Sequence, residues 1–289
     1  MRERIRFTDV VVASAALGAL SLVMMPTLRH AASRTQDAGA DHLLKLGTAL
    51  NIYCADYDHH YPLAFAPNSS VPGMWRWNSM IRVPSGWQSG PIATPSRTAD
   101  DSVAWANSIQ RYLSNTNLLS DPTLPEFRSG SISYDDAVRS PIAVGFTFNG
   151  LLHSYSASSV VLPSKLPVLW QGLGPVNTLG FTYANPTLSC IMPSEPCIFD
   201  GEKKGVVGAN GVMMVMVGAY TSPDQKAKFL SADLALTQQS MNTASTPQTS
   251  NPGQDPFANY DGGKGSSYWI STGNNGKMYP PLFRPDRTE

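Results

Sequence analysis

The stretch FTDVVVASAALGALSLVMMPTL, Phe7–Leu28, precedes a second stretch, DHLLKLGTALNIYCADYDHHYP, Asp41–Pro62, and together they decide the fold. The first has no charged residue from Val10 to Met25, and arginines at positions 2, 4 and 6 come before it. As a helix this apolar run would be about 24 Å long, slightly less than the ~30 Å hydrocarbon core that its flanking residues could help to span. Residues 1–28 are therefore predicted to be a basic leader and an apolar anchor helix seated in the membrane.

Two other interpretations of the apolar run stay open. A secretory signal peptide has the same basic start and short apolar core, and Arg29–Ser33 offers a late cleavage site. A helix buried in a soluble core is the third option, although an apolar helix behind three arginines is unusual there.

The second stretch has the pattern of an amphipathic helix. Its apolar positions recur every three or four residues, at Leu43, Leu46, Leu50, Tyr53, Cys54 and Tyr57. Residues 29–62 are therefore predicted to continue the first helix, with a kink at Pro26. Gly39 and Gly47 each weaken this helix by about 1 kcal/mol relative to alanine, so it needs a globular head to lie against.

The same residues resemble a known family. Leu43–Tyr53, followed by Ala55–Asp58 and Tyr61–Pro62, is similar to the block LKQLGLALxxYxxDYDxxYP of type IV pilin-like proteins, which include the pseudopilins of type II secretion. Those proteins also have an acidic residue near the start of the apolar helix and a proline some seventeen residues later, the separation of Asp9 and Pro26. The chain departs from the family at the leader, since Arg6 precedes Phe7 where pilin leaders end in glycine, and a mature start at Phe7 would put Val11 rather than an acid at the fifth position. Both a processed and a retained leader therefore stay open.

The resemblance implies a fold, a function and a location. The fold would be α+β: a long N-terminal helix, membrane-seated in its first half and amphipathic in its second, packed on a mainly antiparallel β head with long loops. The chain would be a structural subunit that assembles with copies of itself or with related subunits into an extracytoplasmic filament, from a single-pass anchor in the inner membrane. The assembly helix would use Phe7, Asp9, Val10, Val11, Leu17, Leu20 and Pro26.

Composition is consistent with an extracytoplasmic domain. The 289 residues have a formal net charge of zero, only 15% are charged, and 23 glycines and 23 prolines are typical of a loop-rich β domain. No basic stripe follows Arg6, so we expect no nucleic-acid partner. Because the chain has no G-x-S-x-G, H-E-x-x-H or P-loop motif, we also expect no enzymatic activity.

The head, residues 63–289, shows a helix pattern followed by several strand patterns. A helix is predicted over Ser102–Leu113, and a strand over Ile142–Phe148 with a tight turn at Asn149-Gly150. Lys228–Leu236 resembles the terminal hairpin of the family without its Gly-His turn, so another turn must replace it. A C-terminal extension begins at about residue 237, and its aromatic residues, among them Phe283, are expected to fold back on the head.

Three groups of residues are candidate sites in the head. Cys190 and Cys197 enclose a short loop stiffened by two prolines, which favours a disulfide in an oxidising compartment over two free thiols. No cofactor is expected, apart from a calcium ion for which three oxygen-bearing residues beside two glycines are suited. These residues are Asp255, Asn259 and Asp261.

Trp75, Trp77 and Trp87 define an alternative function. Exposed tryptophans can bind sugars, so the runner-up is a signal-anchored surface domain that binds a glycan or another ligand without assembling. Buried aromatic packing is the simpler interpretation of these three residues. A third possibility, an extracytoplasmic hydrolase, has only scattered acidic residues to support it.

Overall fold

The computed structural model describes most of the head and the amphipathic helix. The described residues are 38–77, 79–90, 93–130, 132–188, 190, 196–200, 212–213, 226–240, 258–261, 264–267 and 281–286. The leader, the apolar run and Pro26 lie outside these ranges. Within the described ranges, no helix combines the length and the apolar character needed to cross a membrane.

Three α-helices and five short 3-10 turns are described. The helices are α1 (residues 38–56), α2 (Pro95–Ser102) and α3 (Trp105–Ser108). The 3-10 turns are Gln110–Tyr112, Thr116–Leu119, Gly150–Leu152, Ala157–Ser159 and Pro281–Phe283.

The strands are short and form several small sheets. They are β1 (Ile81–Arg82), β2 (Glu126–Phe127), β3 (Ala143–Val144), β4 (Thr147–Phe148), β5 (Pro167–Trp170), β6 (Asn177–Leu179), β7 (Phe181–Thr182), β8 (Thr187–Leu188), β9 (Val212–Met213), β10 (Lys226–Ser231), β11 (Leu236–Ser240), β12 (Ala258–Asp261) and β13 (Lys264–Ser267). The largest sheet has the order β11-β10-β5-β4, and a second has the order β2-β6-β3. Among the described strand pairs, all are antiparallel except β2–β6. The fold is therefore α+β.

Helix α1 buries one face against the hairpin formed by β10 and β11. The side chains of Leu43, Leu46 and Leu50 are completely or almost completely buried in the main core. Gly47 lies so close to the hairpin that an added methyl group would collide with the side chains of Leu230 and Leu234. The glycine that weakens the isolated helix thus permits the close approach that stabilises it in the folded protein.

The turn of this hairpin depends on Asp233 rather than on a Gly-His pair. Leu230 pairs with Leu236 across the hairpin, and Leu234 adopts a left-handed backbone conformation with φ of 68°. The Asp233 carboxylate accepts hydrogen bonds from the Ser231 hydroxyl at 2.5 Å and from the Ala235 amide at 3.2 Å. An Asx-type turn therefore replaces the glycine-based turn.

The helix predicted over Ser102–Leu113 is confirmed in part: α3 and the 3-10 turn Gln110–Tyr112 lie within this range, but the helix is interrupted near its start. Helix α2 begins earlier, at Pro95, and ends at Ser102, and Ala104 is extended with ψ of 155° before α3 begins. The amide of Trp105 donates to the carbonyl of Leu63 at 2.8 Å, and Trp105 is completely buried. This tertiary contact breaks a helix that the periodicity alone would have continued.

The tight turn predicted at Asn149-Gly150 is confirmed, because the Leu152 amide donates to the Asn149 carbonyl at 3.0 Å. The Asn149 side chain accepts a hydrogen bond from the Leu151 amide and caps the 3-10 turn Gly150–Leu152. The strand predicted over Ile142–Phe148 is divided at Gly145, so that β3 pairs with β6 and β4 pairs with β5. One short segment thereby connects the two larger sheets.

Leu46→Ala tests the packing of α1 on the hairpin. Because Leu46 is completely buried, we expect the free energy of unfolding, measured by urea denaturation, to fall by about 2–5 kcal/mol. Leu44→Ala, two positions earlier on the exposed face, is the matched control and should cost much less. Equal losses for the two variants would contradict this packing.

Candidate functional site

The outer face of α1 retains apolar side chains. Leu44 and Ile52 are 36% and 45% exposed. They lie eight residues apart, about 12 Å along the helix axis and on the same side of it. Thr48 lies between them. Its hydroxyl donates to the Leu44 carbonyl, so its methyl group is the part available for apolar contact. This outer stripe, Leu44-Thr48-Ile52, is a surface to which another helix could pack.

The C-terminal end of α1 is fixed by a group of aromatic and charged side chains. The rings of Tyr53 and Tyr57 stack with centroids 4.2 Å apart. The guanidinium of Arg111 lies 5.2 Å from the Tyr57 centroid and 4.9 Å from that of Tyr112, and it also donates to the Tyr57 hydroxyl. The Tyr112 hydroxyl donates to Asp56 at 2.8 Å. Tyr57, predicted on the buried face, is 42% exposed because it takes part in this group.

A buried ion pair lies beneath the N-terminal turn of α1. Asp121 is completely buried, and its carboxylate is 2.6 Å from the Lys228 ammonium. Gln171 donates to the same oxygen at 2.7 Å, and Thr123 donates to the other oxygen through its amide and its hydroxyl. A methyl group on Gly39 would collide with both members of the pair. Helix α1 therefore covers a fully hydrogen-bonded polar network.

His153 lies in an aromatic pocket beneath residues 63–65. The Ala64 amide donates to its Nδ1 at 2.9 Å, so the neutral ring carries its proton on Nε2, which has no hydrogen-bond partner among the described residues. The ring stacks on Phe65 at 4.0 Å and meets Trp75 edge-on at 4.5 Å. Burial lowers the pKa of His153 to about 3, so the imidazole is neutral at physiological pH.

A second group of charges anchors α2 and does not form an open site. Asp101 is completely buried and accepts from Arg82 at 3.2 Å and from Arg97 at 2.9 Å. Arg97 also donates to the Met80 carbonyl at 2.6 Å. Burial raises the pKa of Asp101, although the two guanidinium groups oppose that shift. The contacts join α2 to the loop before it.

The three tryptophans predicted as a ligand-binding group differ in exposure. Trp75 and Trp77 are partly buried and pack against the core. Trp87 is completely buried, stacks on Tyr134 at 5.4 Å and donates to the Gly180 carbonyl at 2.7 Å. Trp87 is therefore a core residue that no surface ligand can reach, and ligand binding at the other two stays a prediction.

The predicted disulfide is confirmed. Cys190 and Cys197 are bonded to each other, and both are buried beside Phe199 in the main core. Cys54 is a buried free thiol on the inner face of α1, and burial raises its pKa to about 11, which makes it unreactive.

The remaining predicted site residues lie largely outside the described part of the chain. All of the assembly-helix residues, Phe7 to Pro26, and the calcium candidate Asp255 belong to that group. Asn259 and Asp261 are placed in β12 of a two-stranded hairpin, but their side chains are not described. No group of three or more potential metal-ligating side chains occurs within the described residues.

Comparisons with known proteins identify no relative. No family model matches the chain, and no match was found among curated proteins or among solved structures.

Sequence reasoning missed the Asp121–Lys228 pair and the His153 pocket. The partners in each are distant in sequence, so no periodicity connects them. Lys228 gave no such signal either, because a lysine between two apolar residues is typical of a strand with one solvent-exposed face.

His153 should make the stability of the head depend on pH. The unfolded imidazole binds a proton below about pH 6.5, whereas the folded one does not until about pH 3. The free energy of unfolding should therefore fall as the pH decreases, by about 2 kcal/mol between pH 6.5 and pH 5. Urea denaturation over this range measures the slope, and His153→Phe should abolish this part of it. Identical slopes in the two proteins would show that His153 is not the titrating group.

Asp121→Ala should be strongly destabilising. The substitution leaves Lys228 buried without its partner. We therefore expect the free energy of unfolding, measured by urea denaturation, to fall by about 3–5 kcal/mol. The double variant Asp121→Ala/Lys228→Met should recover much of that loss, because it removes the buried charge. Asp41→Ala breaks an exposed pair with Lys45 and is the control, with an expected cost of about 0–1 kcal/mol. A double variant as unstable as Asp121→Ala would contradict this interpretation.

Proposed function

We propose that the chain is a pilin-like structural subunit, which assembles through its N-terminal helix into an extracytoplasmic filament. The observation that carries this proposal is the two-sided character of α1. One face is buried against the β10–β11 hairpin, while the outer stripe, Leu44-Thr48-Ile52, stays exposed. A helix that served its own head alone would not need apolar residues on the second face.

Two further features support the proposal. The apolar run Val10–Met25 precedes α1 in the chain, so the sequence supplies a second apolar segment upstream of the exposed stripe. The contacts of Arg111, Tyr57 and Tyr112 fix the far end of the helix to the head, so a force applied to the helix is transmitted to the head. Both properties suit a mechanical role in which helices pack together and heads cover the outside.

The glycan-binding alternative has less support. Trp87 is buried in the core and cannot contribute to a binding surface, and Trp75 makes edge-on contacts with Phe65 and His153. Two partly buried indoles remain, and both pack against the core.

The double variant Leu44→Glu/Ile52→Glu tests the proposal. Carboxylates on the outer stripe would have to be buried on assembly, so we expect filament or self-association products to be lost while the Tm of the purified protein stays within a few degrees. Electron microscopy of the sheared surface fraction and cross-linking of membranes from the native cells provide the readouts. Val138→Glu, at a position 66% exposed elsewhere on the head, is the control.

Assembly of the double variant at the level of the Val138→Glu control would refute the proposed role of the stripe. The N-terminus of the native protein, mapped by intact mass and peptide analysis, then distinguishes the alternatives. A methylated start at Ile5 or Phe7 supports a pilin-like pathway. A start beyond Ala32 would instead mean a secreted domain without an anchor.

A further inference from the structure

The end of the chain is inserted into the core of the head. We call residues 281–286 the C-terminal plug. Phe283 is completely buried, with its ring centroid 5.2 Å from that of Trp170 and 6.4 Å from that of Phe229. The Asn149 side-chain amide donates to the Phe283 carbonyl at 2.9 Å, and the Val161 amide donates to the Pro285 carbonyl at 3.0 Å.

The site that receives the plug is built mainly from distant parts of the chain. Its walls include β5, β10 and the residues that follow β4, which precede the plug by fifty residues or more, and β12 also contacts the plug. Asn149 is itself completely buried and donates from the same nitrogen to the Pro167 carbonyl, so the receiving amide is held in place. Beside Leu282 the site continues as a groove of about 250 Å³ along Lys165 and Ser231. The contact is thus like that between a domain and a separate peptide.

We propose that the plug can be exchanged, so that the plug of one subunit fills the site of a second copy. The contacts in the exchanged form are identical to those within one chain, and the two forms differ only in the effective concentration of the plug at the site. Within one chain this effective concentration is typically millimolar, and neighbouring subunits on a membrane or in a filament can reach a similar local concentration.

The connecting chain is long enough for this exchange. Residues 241–257 and 268–280 lie between the end of β11 and the plug, outside the hairpin formed by β12 and β13. Because β12 contacts the plug, the hairpin would move with it, and the seventeen residues 241–257 then set the reach. They span at most about 60 Å, more than the ~40–50 Å across a globular head of this size. Because plug and site are different surfaces, exchange from each subunit to the next is directional and can continue along a row of heads. The proposal concerns the head alone and goes beyond the helix-based assembly described above.

A peptide tests whether the site accepts a plug in trans. In the full chain, Phe283→Ala should lower the Tm, because it empties the space between Trp170 and Phe229. A synthetic peptide of residues 278–289 at millimolar concentration should restore most of the lost Tm, and a peptide carrying Phe283→Ala should not. If the alanine variant is largely unfolded, Phe283→Leu replaces it as the protein that accepts the peptide, because leucine fills more of the space between Trp170 and Phe229. No rise in Tm with either acceptor would overturn the proposal.

Paired cysteine variants test exchange between whole chains. A Val161→Cys chain and a Pro285→Cys chain, both also carrying Cys54→Ala so that the native free thiol is removed, are unfolded together in urea and refolded with the native disulfide left intact. Disulfide-linked dimer above the level of random collision requires one plug to fill the other site, and a non-reducing gel measures it. Replacing the first chain by Val138→Cys, at a remote exposed position, should reduce the dimer about tenfold, to the level of random collision.

A single chain carrying both Val161→Cys and Pro285→Cys reports whether these thiols can meet. If that chain closes its own disulfide while the mixture gives no more dimer than the Val138→Cys control, exchange does not occur and the proposal is wrong. Neither measurement requires filaments, so failure here is distinct from failure of the helix-based assembly.

Discussion

The contact between Gly47 of α1 and the β10–β11 hairpin is the constraint on which the rest of the head depends. The Gly47 backbone lies directly against the side chains of Leu230 and Leu234, which leaves no room for a side chain at position 47, and the flanking leucines of α1 complete the core on either side. Strand β10 in turn positions β5, because Phe229 and Leu230 pair with Trp170 and Leu169 of β5. Helix, largest sheet and C-terminal plug therefore share one apolar interior.

Charge is scarce in this protein, and several charged groups of the head lie inside it. Two buried groups hold these charges. Asp121 pairs with Lys228, and Asp101 pairs with Arg82 and Arg97. Such pairs contribute little net stability compared with apolar residues of the same size, but they strongly disfavour alternative packings that would separate them. In a head built from strands of two to six residues, where backbone pairing specifies register weakly, polar networks of this kind can define which segments meet.

The sequence predicted features whose signals are local. The inner face of α1, the disulfide and the β10–β11 hairpin each rest on residues close together in the chain, and the structure contains all three. The predicted helix over Ser102–Leu113 is interrupted because the bond from Trp105 to Leu63 connects positions forty-two residues apart. His153 and Asp121 were missed for the same reason. Periodicity describes how a segment buries one face, but not which distant segment interrupts it or supplies its partner.

A subunit that assembles through its helix alone faces a physical difficulty. The chain has a formal net charge of zero and only 15% charged residues, so long-range electrostatic attraction between heads is weak. Lateral contacts between such surfaces bury little apolar area unless the heads interlock. An exchanged plug would resolve this difficulty, because the apolar group that joins two heads is already part of the core of each. Within a row every site would be filled by the plug of a neighbour, and only the two ends of the row would leave a site or a plug without its counterpart. The head would thereby gain cohesion without an exposed apolar patch that makes the unassembled subunit aggregate.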